Sequence, residues 1–353
     1  MSAFETDFEF DTDLLVELTE ASGVPGYEDR IREIVRRELS AATDTVRSDA
    51  MGNVIGTLDG TSDYNVVVAT HMDEIGFMVR HINDEGFLTM DALGGWDPRV
   101  LRAQRVTVHT DDGDLPGVIG STPPHTDGDD SDEQSIEDVY VDLGLDAETV
   151  EERVNVGDLI TMDQSTRQVG DHVTGKAIDN RVSVCAMVAA ARQLTAPDVT
   201  IHFAATVQEE VGLRGASALG VDLDPDLAIA LDTTVANDVP THQAKEHVTE
   251  LGEGTAIKLK DSGVITNPKV HRRLQSVAEE TEIPHQLEIL PSGRTDTAGF
   301  QTTHGAKPVG AISVPTRYLH TVTESVHHAD LTATIDLLTA FLKSETGEHD
   351  YRL

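Results

Sequence analysis

A chain of 353 residues with 39% hydrophobic content can supply the core of one large domain plus a smaller one, and with only 4% aromatic residues its packing rests on Val, Ala, Leu and Ile. The formal charge of -37, from 63 acidic against 26 basic residues, argues against nucleic acid or an anionic membrane as a partner. So acidic and lysine-poor a surface suits concentrated salt, where at about 1 M the Debye length is roughly 3 Å and self-repulsion is screened, so a halophilic setting is expected.

The opening MSAFETDFEFDTD has neither a basic n-region nor an apolar h-region, so no secretory signal is expected. Leu14, Leu15 and Leu18 predict a helix over 13–22 and Ile31, Ile34, Val35 and Leu39 a second over 28–39, parted by the turn Gly23-Val24-Pro25-Gly26. Short strands follow over 53–58 and 65–69. From Gly76 to about Thr174 the texture changes to the pieces MVRHI, GFLTM, RVTVHT, LPGVIG and DLITM, broken by Gly, Pro and Asp, which predicts an inserted all-β module. Within it, the acidic run from His125 to Glu133 has no apolar periodicity and reads as a solvated loop. After Gly175 a helix is expected over 181–194, buried strands over 199–207, 227–231 and 309–314, and a closing helix over 331–343. The expected fold class is therefore α/β, an open, mostly parallel sheet flanked by helices. Its catalytic domain is discontinuous, 1–73 and 174–353, with the small all-β domain inserted over 74–173. No apolar stretch approaches the ~20 residues that cross a bilayer. Cys185 is the only cysteine, which fits a reducing compartment, and a cytoplasmic location is expected.

Five metal-type side chains fall at the ends of apolar runs: His71 in ATHMDEIG, Asp179 in GKAIDNR, Glu210 in VQEEVG, Asp232 in ALDTT and His320 in RYLHT. Two imidazoles and three carboxylates suit a pair of divalent metals, and in an open α/β sheet such residues converge outside the carboxyl ends of the strands. Each has a plainer alternative: a structural histidine, a helix-capping aspartate before Arg181, a turn aspartate at 232. Asp73, two residues beyond His71, can accept the imidazole's other N–H and fix its tautomer. Glu209 and Glu210 are adjacent carboxylates at the mouth of an apolar strand, an unfavourable pair without a cation or proton between them. His327 and His328 are weaker rivals for the ligand role, near an expected helix start.

The strings HMDEIGFMV, GFLTMDALGGWDPRVL, GKAIDNR, VQEEVGLRGA, ALDTT and SVPTRYLHT resemble the tetrahedral aminopeptidases, two-metal exopeptidases also labelled deblocking aminopeptidases or, in places, cellulases. The match runs from about Leu14 to Leu342. It implies His71, Asp179, Glu210, Asp232 and His320 as metal ligands with Asp179 bridging, Glu209 as general base, and Asp296 near the substrate cleft. It also implies that the insert mediates dimerisation and that twelve subunits close into a hollow tetrahedron, and it gives the run 125–133 a second reading, a loop projecting toward a neighbouring catalytic cleft. Asn180 stands where relatives commonly carry a second aspartate, Arg294 where they carry a small residue, and Gly94-Gly95-Trp96-Asp97 matches as either a structural turn or a substrate contact.

His and carboxylate ligands without thiolate suit Zn²⁺ or Co²⁺. Two such ions can share a hydroxide and polarise a scissile carbonyl while Glu209 moves the proton. The expected activity is removal of amino-terminal residues from short peptides, the polarity being implied by the resemblance. A related two-metal deacylase or carboxypeptidase would use nearly the same ligands, and a non-enzymatic assembly protein is the third reading. Glycoside hydrolysis, which ordinarily uses two metal-free carboxylates, fits the five ligands poorly.

Overall fold

The computed structural model describes residues 8–121 and 135–353, so the acidic run from His125 to Glu133 lies outside the described residues. Asp11 accepts the Leu14 N–H at 3.0 Å and caps α1 (Thr12–Glu20), which turns Leu14, Leu15 and Leu18 inward. Next come α2 (Asp29–Ala42), β1 (Thr45–Ser48), β2 (Val54–Leu58) and β3 (Asn65–His71). The chain then leaves for a separate body, a closed barrel of β4 (Gly76–Ile82), β5 (Leu88–Leu93), β6 (Arg105–Thr110), β7 (Gly113–Ile119), β8 (Tyr140–Asp142) and β9 (Leu159–Met162). Every barrel pairing is antiparallel, and alternate residues such as Phe77, Val79, Val106, Val108, Val141 and Ile160 fill a core of its own. A short helix, α3 (Ala147–Arg153), bridges β8 and β9.

The return path gives β10 (Arg167–Val169), β11 (His172–Gly175), α4 (Ile178–Arg192), β12 (Thr200–Thr206), α5 (Arg214–Leu223), β13 (Leu227–Val235) and β14 (Thr255–Lys260). The last elements are α6 (Pro268–Glu280), β15 (His285–Ile289), α7 (Asp296–Gln301), β16 (Val309–Arg317), β17 (Glu324–His327) and α8 (His328–Ser344). Among the described residues the large sheet has eleven strands in the order β1-β2-β12-β3-β13-β16-β17-β11-β10, with β14 and β15 branching from β16. Its centre, β12, β3, β13 and β16, is parallel, and these strands are buried on both faces and read as continuous apolar runs. The margins are antiparallel except where β15 pairs parallel with β14, so the sheet is mixed rather than parallel throughout.

Two local expectations shift and a third holds. β10 and the start of β11 fall inside the expected insert 74–173, yet β10 pairs with β11 and β11 with β17 on the large sheet, and the last barrel strand ends at Met162. β13 does not stop at Leu231 but continues to Val235, so Asp232 lies within the strand. The helix expected from Arg181 begins there in its dihedral angles, since Asp179 and Asn180, although within α4, are non-helical. α4 is buried along nearly its whole length between α1, α2, α8 and the sheet, and truncating a wholly buried side chain there, such as Ile178 or Met187, would cost about 2–5 kcal/mol. The fully buried Arg181 ties it to α1, donating to the Leu18 and Ala21 carbonyls at 2.6 and 2.9 Å.

Candidate metal centre

Parallel pairing sets the site. Register places His71, the last residue of β3, opposite Thr206, the last of β12, and β13 brings Asp232 to the same end of the sheet. The turn after β12 carries Glu209 and Glu210, the start of α4 carries Asp179, and the turn after β16 carries His320. All six line one cavity of about 580 Å³, together with Thr233 to Val235 and the segment Ser292 to Thr295.

Within it, Asp179 is central. Its Oδ1 lies 3.3 Å from His71 Nε2, which is 3.7 Å from Asp232 Oδ1, whereas its Oδ2 lies 3.6 Å from His320 Nε2, which is 3.8 Å from Glu210 Oε2. Nitrogen and oxygen ligands ~2.0–2.2 Å from a tetrahedral ion are separated by roughly 3.4 Å, so both groups have the spacing of donors around a common centre. Asp179 Oδ1 is buried with no hydrogen-bond partner, an arrangement that ordinarily calls for a proton or a cation. The donor set therefore fits a divalent metal, and one oxygen, nitrogen or carboxylate atom each from His71, Asp179 and Glu210 fall within 4.8 Å of one another.

The electrostatics of the protein alone point the same way. Burial drives the Glu209 carboxyl well above the usual range and pushes Glu210 up to about 8, and Asp232 is also raised by burial. For the imidazoles burial works downward, but the carboxylates Asp179, Asp232 and Asp73 outweigh it at His71, and Asp179 and Glu210 raise His320 to about 10. Burial raises Asp179 too, yet His320 and His71 together hold it below the ordinary carboxylate range. A divalent cation held among these carboxylates would invert this local logic, keeping the acids ionised and the imidazoles neutral.

The surrounding residues correct several expectations. His71 Nδ1 donates not to the Asp73 carboxylate, 3.6 Å away, but to the Asp73 carbonyl at 3.1 Å. The carboxylate is engaged elsewhere, accepting the N–H groups of Glu209 and Glu210, both at 3.1 Å. Asp296 does not line the cavity. It is 1% exposed, accepts the Thr206 hydroxyl, and is raised by burial to about 7, so it lies behind the wall that Thr295 presents. Arg294 does line the cavity. Asn180 points its amide at Thr70 Oγ1 and the Leu231 carbonyl, both at 3.0 Å, away from the two donor groups. His327 accepts the Ala329 N–H and caps α8, and His328 stacks on Phe8, so both are occupied outside the cavity.

Two contacts were not anticipated. The Gly95 carbonyl, on the barrel loop after β5, accepts His320 Nδ1 at 2.8 Å, and a Cβ at Gly95 would stand 3.1 Å from that nitrogen. Neighbouring Trp96 stacks on Phe77 with ring centroids 5.1 Å apart. Glu324, buried at the start of β17, accepts the Asp179 N–H at 2.9 Å and the His320 N–H at 2.8 Å. The only sequence signal for it was a carboxylate in the otherwise uncharged stretch TVTESVHH.

A helix-flanked sheet whose parallel strands end at a buried His and carboxylate cluster, with water-accessible volume above it, defines a metal-dependent hydrolase. Comparison with known proteins narrows the class. Residues 52–337 match the model of the family described as M42 glutamyl aminopeptidase. The lysyl aminopeptidase of Pyrococcus furiosus is 35% identical over 94% of this chain and 97% of its own length. The structure superimposes on aminopeptidase APDkam598 from Desulfurococcus kamchatkensis with a TM-score of 0.92 at 37% identity, covering 95% of each chain. Against the Pyrococcus horikoshii TET1 peptidase, described as assembling into a tetrahedron or a large octahedral shell, the TM-score is 0.85 at 33% identity, covering 94% of this chain and 99% of that one. This chain belongs to the M42 family of metal-dependent aminopeptidases.

Proposed function

We propose that the chain removes amino-terminal residues from short peptides with two divalent ions, zinc or cobalt, held by His71, Asp232 and one oxygen of Asp179 on one side, and by Glu210, His320 and the other oxygen on the other. The observation that carries this reading is the division of Asp179, with its two oxygens facing different imidazoles at 3.3 and 3.6 Å. When bound, such ions acidify water and polarise a carbonyl. Glu209 reaches the same cavity but joins neither donor group, which leaves its carboxylate free to take a proton from water and return it to the leaving amine. Asp73 serves as a positioning residue, since it holds the backbone of Glu209 and Glu210 rather than touching substrate.

Short free-ended peptides should lose residues singly from the amino end, and N-acetylation should abolish this by removing the charged amine. Mass spectrometry is the test, with added Co²⁺ or Zn²⁺ against a chelator control. Carboxyl-end trimming, or equal turnover of acetylated peptides, would replace this reading with the carboxypeptidase or deacylase one. We further propose a dodecamer built from dimers that pair through the barrel, supported by the assemblies of the TET1 relative. We also propose a high-salt setting, supported by the charge of -37, and a reducing, cytoplasmic one, supported by the lone buried Cys185; no described helix is long and apolar enough to cross a membrane.

A further inference from the structure

Two buried carboxylates that stand outside both donor groups hold the backbone of the site in the same manner. Asp73 receives the N–H groups of Glu209 and Glu210, which are neighbours in sequence, so its grip secures a single turn. Glu324 instead receives the N–H groups of Asp179 through Oε2 and of His320 through Oε1, and these belong to different elements, the start of α4 and the turn between β16 and β17. Glu324 is 2% exposed and sits in β17, which is fixed on both sides by β11 and β16. It is therefore a fixed point that two separate elements share.

His320 needs such fastening. Its φ of +59° is left-handed, a conformation that strains a residue with a Cβ and persists only where the surroundings over-determine it. Two hydrogen bonds supply that constraint, its N–H to Glu324 and its Nδ1 to the Gly95 carbonyl. Held at backbone and ring, the imidazole presents Nε2 toward Asp179 Oδ2 and Glu210 Oε2.

We propose that Glu324 is a positioning residue for the metal position formed by Asp179, Glu210 and His320, aligning the shared carboxylate and the terminal imidazole with one side chain. The inference rests on the two-ion reading above. Of the two residues it holds, His320 belongs to the second position alone and Asp179 to both, so the second position has two ligands to lose alignment and the first has one, and the two respond unequally when Glu324 is changed. Outer partners of metal ligands typically govern affinity by about 10- to 100-fold, and the second position should weaken by that factor while the first changes far less.

Glu324→Gln keeps one acceptor oxygen but turns an NH₂ group toward the other N–H, and Glu324→Asp draws the carboxylate back so that it reaches at most one of the two. Zn²⁺ is titrated into metal-stripped wild-type protein and both variants by equilibrium dialysis with elemental analysis, and near-ultraviolet circular dichroism reports the fold. The expected result is two bound ions in the wild type, and one tight and one weakened ion in each folded variant. Equal weakening of both ions would mark a merely structural role, and two ions bound as tightly as in the wild type would remove any role; either result overturns the inference. A wild type that binds fewer than two ions overturns the two-ion reading instead, which keeps the two failures distinct. Should neither variant fold, amide exchange in wild-type protein decides: the peptides containing Asp179 and His320 should slow together on loading the second ion, and slowing of one alone overturns the proposal.

Discussion

At the residue scale the sharpest division lies between two neighbouring glutamates. Glu210 stands 3.8 Å from His320 Nε2 and shares a centre with it, whereas Glu209 makes no such approach although both line the cavity. Glu210→Gln removes an anionic donor, so metal content and turnover should fall together. Glu209→Gln preserves shape and every donor, so metal content should hold while kcat falls by something like 10²–10⁴-fold and KM moves little. Elemental analysis beside steady-state kinetics on both variants makes the test. If Glu209→Gln loses metal and Glu210→Gln keeps it, the roles are exchanged; full activity in both would place the chemistry elsewhere.

At the scale of elements, Asp330 illustrates how burial converts to pH dependence. It lies in the first turn of α8, and its two oxygens accept the N–H groups of Gly252 and Gly254 at 2.8 Å, closing the turn that leads into β14. Burial outweighs those bonds and pushes its carboxyl up to about 7 from 3.8. Between those values the folded protein holds a proton that the unfolded chain has released, so the contribution of this group to stability is full below about pH 4 and is lost as pH rises toward 7. Asp330→Asn has no such titration. Its stability relative to wild type should therefore improve from pH 4.5 to 7, by at most about 3 kcal/mol, as read from urea unfolding midpoints. A constant difference between the variants would show that the group ionises normally. The parallel strands were legible because each is an uninterrupted apolar run, as in Val66 to Ala69, and five of the six barrel strands because they alternate between turn residues. β8 is three residues long and α5 starts without a capping side chain, so neither leaves a periodic trace. The six cavity residues were legible because each stands beside an apolar run. Gly95 and Glu324 were not, since one acts through its backbone carbonyl and the other on backbone N–H groups, and no side-chain pattern records such bonds.

For the whole molecule, charge is the dominant fact. With 63 acidic residues against 26 basic, exposed pairs such as Arg30 with Asp114, which joins α2 to the barrel at 2.7 Å, are few beside the uncompensated repulsion. Lowering salt to tens of millimolar extends the Debye length beyond ~10 Å and should reduce both melting temperature and sedimentation coefficient relative to multimolar KCl. Identical values in the two media would show that the surface is indifferent to salt. The barrel bears on this molecule in another respect. Every side chain lining the catalytic cavity is supplied by the large domain, and a modular view would make the barrel a detachable handle for assembly. The Gly95 carbonyl contradicts that view, because the ring of His320 takes its orientation from a loop that folds with the other body. Exchanging barrels between relatives would transplant a partner of His320 along with the barrel, and a shift of the barrel on its neighbour would turn one imidazole. The smallest heritable unit of this centre is thus larger than the domain that carries its side chains.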